Sequence, residues 1–276
     1  MLGEDAAPSP GPSLEGRGVS GPEGGVAILH EDAACLVLLK PAGLATQSPR
    51  GFDSLERRVH ELLSNRSPAE PICLGLPHRL DRPVSGPLLL AKTRRAARKL
   101  SRQFERRRIR KIYWAGVGGI VEPANGDWID FVRKVPDEPR AEIVAPEHPD
   151  AQQAVLHYRT LGAIGTADLT LSHPSPLPEG EGTAQGQIGT LLEIELETGR
   201  MHQIRVQAAA RGHPVIGDVL YGSPLPFGPP PVEERQRLIA LHGRSLSFFH
   251  PDTQQPLTVD ASLPEAWRQL GLPASL

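Results

Sequence analysis

The stretch Pro77-His78-Arg79-Leu80-Asp81-Arg82-Pro83-Val84-Ser85-Gly86 crowds two arginines, a histidine and a carboxylate together, then runs straight into the apolar Pro87-Leu88-Leu89-Leu90-Ala91. A carboxylate beside guanidiniums at the mouth of a buried strand is costly unless the charges meet one another or a ligand. The segment therefore reads as a loop with a chemical task, feeding a strand of the core. In an extended segment Arg79 and Asp81, two residues apart, share a face.

Upstream, Ala27–Asp32 and Cys35–Lys40 read as strands, and Pro41-Ala42-Gly43 stops the second. Residues 54–63 suit a short helix, with Leu55, Val59, Leu62 and Leu63 at helical spacing. Downstream, Thr93 is an N-cap for a helix whose Ala96, Ala97, Leu100 and Phe104 share one face and whose arginines take the others. Arg110–Gly118 reads as a strand, and Gly116-x-Gly118-Gly119 as its end rather than a phosphate loop. The expected meander continues through 128–130, 141–144 and 154–160. Leu191–Glu197 alternates apolar residues with acids, which predicts a half-buried strand with its glutamates toward water. Met201–Arg211 reads as a helix stopped by Gly212. Strands at 239–242, 246–249 and 256–259 and a short helix at 264–270 close the chain. Strands outnumber helices and short turns join them, so the fold class is α+β, mainly antiparallel with a few packed helices.

Residues 1–25 are rich in Gly, Pro, Ser and Glu and predict a disordered tail. Residues 26–270 read as the folded domain, with a Pro/Gly-rich surface insertion at 172–189. Hydrophobic residues make up 39% of the 276, enough for a sizeable core, and the formal net charge is only -2. The charge is uneven: Lys92 to Lys111 holds eleven Lys or Arg against the single acid Glu105. Cys35 and Cys73 sit in apolar runs and read as buried hydrophobes. The spacing of His202, His213, His242 and His250 matches no metal motif, so no metal is expected. Residues 78–85 hold the letters of a hydrolase triad without a nucleophile elbow. No apolar run approaches the roughly 18 residues of a membrane span and no signal peptide opens the chain, which predicts a cytoplasmic protein.

His78-Arg79-Leu80-Asp81-x-x-Val84-Ser85-Gly86 resembles the H-R-L-D-x-x-T-S-G motif of the RluA-type pseudouridine synthases. Lys40-Pro41-Ala42-Gly43-Leu44, Lys111-x-Tyr113-x-Ala115 and Thr198-Gly199-Arg200-Met201-His202-Gln203-Ile204-Arg205-Val206 resemble further motifs of that family, in the family's order. Gly212-His213-Pro214-Val215-Ile216-Gly217-Asp218 continues the last of them. The resemblance implies a mixed sheet with a central cleft and the isomerisation of uridine to pseudouridine in structured tRNA or rRNA. It implies Asp81 as nucleophile, Arg205 as its cationic partner with Arg200 next best, and Tyr113 as a residue that stacks on the uracil and moves a sugar proton. Arg79 would fill the space left by the flipped base, and Ile204 would wall the uracil pocket. With RNA as partner, the basic stripe, including Arg95, Arg98 and Arg102, becomes a phosphate track. The product is an isomer, so no cofactor is needed; nothing demands an oligomer. Rupture of a C1′–N bond passes through an oxocarbenium-like state that an ionised carboxylate stabilises or traps. A stacked uridine must also leave its helix to reach it. No S4-type domain is read before Val26, so recognition is expected from the catalytic domain itself. Val84, Pro87, Met201 and Gln207 depart from the family pattern, and Pro87 suggests an edge or strand-start position.

Overall fold

Cys35–Lys40 is apolar at almost every position, and such a strand must be covered on both faces. In the structure, a computed structural model that describes residues 13–15, 26–66, 72–165 and 187–272, it is the middle of a three-stranded sheet. In chain order the elements are β1 (Ser13–Glu15), β2 (Ala27–Glu31), β3 (Cys35–Lys40), α1 (Leu55–Arg66), β4 (Gly86–Ala91), α2 (Arg94–Glu105), β5 (Arg110–Gly118), β6 (Asn125–Lys134), β7 (Ala141–Ile143), β8 (Gln152–Gly165), β9 (Gln187–Leu196), α3 (Gln203–Ala210), β10 (Leu241–Phe249) and β11 (Pro256–Asp260). Mixed, mostly antiparallel sheets with few helices are what the α+β reading anticipates. The chain divides into two compact units, Met1–Lys111 with Gly243–Ser262, and Ile112–His242 with Leu263–Leu276.

In the first unit β2, β3 and β4 pair antiparallel, and β10 pairs antiparallel with β11, along which β1 runs parallel. Residues 13–15 of the expected tail thus form a strand; the rest of 1–25 lies outside the described residues. Cys35, Val37, Leu89 and Ala91 share one face of the three-stranded sheet. They are buried together with Ala96 and Leu100 of α2 and Leu246, Phe248 and Val259 of the hairpin. Thr93 caps α2 as anticipated, its Oγ1 accepting the Ala96 N–H at 3.0 Å.

Pro87 is the second residue of β4, which is an edge of the three-stranded sheet. The N–H groups of Leu89 and Ala91, at the same parity, point away from β3, toward His78 and Gly75. The N–H that Pro87 lacks would point the same way, so the β3–β4 ladder loses nothing. The residue before it, Gly86, has φ +140°, and a Cβ there would lie 2.7 Å from both the Cα and the N of Gly243. Gly243 N–H donates to the Ser85 carbonyl at 2.8 Å. Gly243 also continues the strand between the two segments expected at 239–242 and 246–249, so that Leu241–Phe249 is one strand.

The second unit is an antiparallel sheet in the order β5-β9-β8-β6-β7. Val206 of α3 packs on Val132 of β6 and Ala154 of β8. β9 begins at Gln187, so the expected insertion at 172–189 overlaps a strand at its end; residues 172–186 lie outside the described residues. Glu193, expected to face water, instead accepts across the sheet from Trp114 Nε1 at 3.3 Å and Arg159 Nε at 2.7 Å. α3 begins two residues later than the periodicity suggests, because His202 takes a left-handed φ of 52°. Among the described residues no helix is long and apolar enough to cross a membrane.

Gly86→Ala places a methyl against the Gly243 backbone in a φ region that L-residues avoid. It is expected to lower unfolding free energy by about 2 kcal/mol or more, read from the urea midpoint at constant m.

Candidate active site

β3 ends at Lys40, a lysine with no exposed surface. Its Nζ donates to the carbonyls of Pro41 at 2.8 Å, Leu44 at 2.6 Å and Arg82 at 3.2 Å. Burial pulls this lysine down to about 7, the Asp81 charge pulls it the other way, and Arg82 adds to the lowering. Three carbonyl acceptors use all three N–H groups of an ammonium, so the hydrogen bonding holds the charged form. The turn that follows depends on Gly43, at φ +85°, whose N–H also reaches the Arg82 carbonyl at 2.8 Å. Three residues on, Thr46 Oγ1 donates to the Leu80 carbonyl at 2.8 Å and accepts the Leu80 N–H at 3.2 Å.

Four hydrogen bonds therefore bracket Asp81, two on residue 80 and two on residue 82. Leu80 is buried, Asp81 is half-buried and Arg79 is exposed, the alternation of an extended segment. A turn closed by the Val84 N–H on the Asp81 carbonyl at 3.1 Å then leads into β4. Val84 is itself buried, so the departure from threonine puts a methyl where a hydroxyl would have needed a hydrogen-bond partner.

His78 anchors the other end of the loop. Its Nε2 accepts the Leu89 N–H at 2.9 Å, and its ring stacks on Phe104 of α2 at 4.6 Å and 23°. Burial, with Lys111 nearby, pushes this histidine down to about 3, so the ring is neutral and carries its proton on Nδ1. Lys111 is in turn lowered to about 8 by burial and by Arg107.

In the second unit Tyr113 lies half-buried on β5 opposite Ile194 of β9. Ile204 and Arg205 are buried on α3. Arg205 meets Asp218 side-on, Nε to Oδ2 at 2.5 Å and Nη2 to Oδ1 at 2.8 Å, both side chains almost fully buried. Its guanidinium lies 5.0 Å over the Tyr221 ring, whose hydroxyl meets His202 Nδ1 at 2.9 Å. Arg200 is held by its Nε on the Gln153 carbonyl at 2.9 Å. Gln203 Oε1 closes the Thr198-Gly199-Arg200 turn, accepting from Arg200 N–H and Thr198 Oγ1. Arg95, Arg98 and Arg102 lie exposed on α2.

The structure thus places Arg79 and Asp81 on one loop of the first unit, Tyr113 on β5 and Ile204 and Arg205 on α3 of the second. Lys40, Thr46, His78 and Asp218 complete the two assemblies and were not singled out as site residues by sequence reasoning. Lys40 carried a signal, a lone charge at the end of an apolar run; His78 and Asp218 carried none outside the motifs that contain them, and Thr46 carried none at all. The side chains that lie close enough to share a cation among the described residues are His30, Asp32 and Cys35, within 4.8 Å. There Asp32 Oδ1 accepts the N–H groups of Ala34 and Cys35, Oδ2 meets Nε2 of His30 and His250, and burial pushes the Cys35 thiol up to about 12. These contacts satisfy the carboxylate without an ion.

Solved structures with this fold are pseudouridylate synthase domains. Human RNA pseudouridylate synthase domain containing 4 superposes with TM-score 0.64 at 23% identity, covering 89% of this chain and 93% of that one. The corresponding domain containing 1 gives 0.62 at 21% identity, covering 89% and 86%. The RNA pseudouridylate synthase family model matches residues 34–210. The tRNA pseudouridine synthase C of Salmonella typhi is 33% identical over 246 residues, 88% of this chain and 87% of that protein. Its namesake in Vibrio cholerae is 33% identical over 252 residues, 88% and 93%. The chain belongs to the RNA pseudouridylate synthase family and is an isomerase acting on RNA.

Two predictions test the supports of Asp81. Lys40→Met leaves the Pro41 and Leu44 carbonyls without that donor, at about 1–3 kcal/mol each, while the Arg82 carbonyl keeps the Gly43 N–H; it is expected to lower stability in urea by at least about 2 kcal/mol. His78 has a folded pKa below its unfolded one, so on acidification the unfolded chain takes up a proton that the fold refuses. Stability should therefore fall as pH drops from 6.5 toward 3, at up to about 1.4 kcal/mol per unit. Measured above pH 4.5, where Glu31 and Asp32 add little, the slope should disappear in His78→Gln, which keeps an acceptor for Leu89.

Proposed function

We propose that Asp81 is the nucleophile of the uridine-to-pseudouridine isomerisation, and that the uridine belongs to a structured RNA, tRNA in the first instance. One observation carries this reading: the residues on both sides of Asp81 are fastened by buried hydrogen bonds, while Arg79 beside it is exposed. A carboxylate whose backbone is held on both sides approaches a sugar carbon without an ordering cost at the moment of reaction. The names of the relatives favour tRNA; rRNA remains within the proposal.

In the proposed sequence the C1′–N1 electron pair leaves with the uracil as an Asp81 oxygen engages C1′. The uracil turns, C5 bonds to C1′ and displaces the carboxylate, the C5 hydrogen departs to water, and N1 takes a proton. Nothing is oxidised or reduced. Arg79 occupies the gap left in the RNA by the flipped nucleotide. From the second unit, Tyr113 and Arg205 are assigned to the same reaction by their motifs, Tyr113 to stacking on the uracil, Arg205 to the carboxylate charge. Asp218 orients the Arg205 guanidinium, Ile204 walls the uracil, and Arg200 binds RNA. The reading treats residues 26–270 as the catalytic domain and the protein as a cytoplasmic monomer, which sedimentation at the mass of one chain tests.

RNA labelled with tritium at uracil C5 measures the step. The wild type is expected to release tritium from tRNA, and Asp81→Asn to lose more than about a thousandfold in rate. Tyr113→Phe and Arg205→Lys are expected to lower kcat with RNA binding retained. No release above Asp81→Asn across total tRNA and rRNA would sink the enzyme reading and leave an RNA-binding protein without turnover; free uracil among the products would indicate hydrolysis.

A further inference from the structure

Within the basic segment 92–111 the fold sets two groups of side chains apart. One is paired or held. Lys92 Nζ meets Glu31 at 2.9 Å, Lys99 Nζ donates to the Pro251 carbonyl and lies 3.5 Å from Asp252, Arg95 Nε lies 3.8 Å from Asp252, and Arg108 covers the Phe249 ring. The other consists of Arg94, Arg98, Arg102 and Arg106, all exposed and, among the described residues, in no ion pair.

These four recur every four residues, across α2 from its buried Ala96, Leu100 and Gln103. Each step advances about 6 Å along the axis and about 40° around it. The stripe works against the helix that carries it. Like charges at i, i+4 repel, and three such pairs stand in succession. Two arginines occupy the first turn, at the positive end of the dipole, with no acid there to offset them. The nearest acid on α2, Glu105, makes no ion pair among the described residues. A stripe with this self-repulsion is relieved by a row of negative charges at matching separation. Successive phosphates along one RNA strand provide such a row, and guanidiniums bind phosphate bidentately.

We propose that Arg94, Arg98, Arg102 and Arg106 form a track for the backbone of one RNA strand flanking the target uridine, and that Arg95 is not part of it. α2 is joined to the Asp81 loop by the His78–Phe104 stack and packs on β4, which follows that loop. The track therefore fixes the approach of the RNA to the loop that holds Asp81. This inference rests on the synthase reading for its substrate, but binding alone tests it.

Fluorescence anisotropy of labelled tRNA with the full chain, from low to moderate salt, is the measurement. Replacing the four arginines by glutamine should lessen the slope of log Kd against log salt by about 3, at about 0.7 per phosphate lost. KM in tritium release should rise at least about tenfold. The melting temperature should stay level or rise, since repulsion is removed. The four-lysine variant should restore the slope. A control of equal charge, Arg140, Arg235, Arg237 and Arg268→Gln, removes arginines that already face acids and should leave the slope as it is. An unchanged slope in the stripe variant, or an equal fall in the control, overturns the track. So does loss of binding to phosphatidylserine vesicles with RNA binding intact, which would assign the stripe to a membrane surface. If the wild type releases no tritium, the synthase reading fails while the slopes still decide the track.

Discussion

The ammonium of Lys40 is the interaction on which the site loop depends. It sits without solvent at the end of β3 and gives each of its three N–H groups to a backbone carbonyl, two in its own turn and one on Arg82. Loop backbone is seldom buried because its polar groups need partners, and here one side chain supplies three of them. Gly43 and Thr46 add the remaining ties. The cost of burying the charge is set against these bonds and the nearby Asp81 carboxylate, which explains why a lysine rather than an apolar residue ends a strand of the core.

The same loop is held from its other side by contacts that exclude alternatives. His78 is fastened to β4 and stacked on α2, and its burial keeps it neutral, so it positions the loop and carries no positive charge at neutral pH. At the exit, Gly86 passes so close to the Gly243 backbone that a Cβ on residue 86 would have no room. A reading of the motif as a row of chemical groups thus resolves into a division of labour: its first residue and last glycine pack, Leu80 fills the core, and the charged positions between remain for chemistry.

Charge is handled differently in the two units. In the second, Arg205 and Asp218 neutralise each other in a buried side-on pair, which costs desolvation and gains fixed orientation. On α2 the charges of Arg94, Arg98 and Arg102, with Arg106 just beyond, are left without ion pairs on a surface where they repel one another. An isolated fold gains nothing from that arrangement; a polyanion does.

The sequence by itself determined the elements and the family. Strong periodicity and apolar runs placed β3, β4, β5, α2 and the Thr93 cap within a residue or two, because local propensity and burial agree there. Four motifs in order pointed to the site through Asp81, Arg79 and Arg205. What only the tertiary structure decided came from contacts between residues distant in the chain. The pairing of Leu80 with Thr46, of Arg82 with Lys40 and of Arg205 with Asp218 leaves no periodic trace. Nor does the Gly86–Gly243 approach, the continuity of residues 241–249 as one strand, or the left-handed His202 that delays α3. Which arginines are spent on Asp252 and which are left for a partner also depends on a turn some 150 residues from α2, which no local reading of the helix contains.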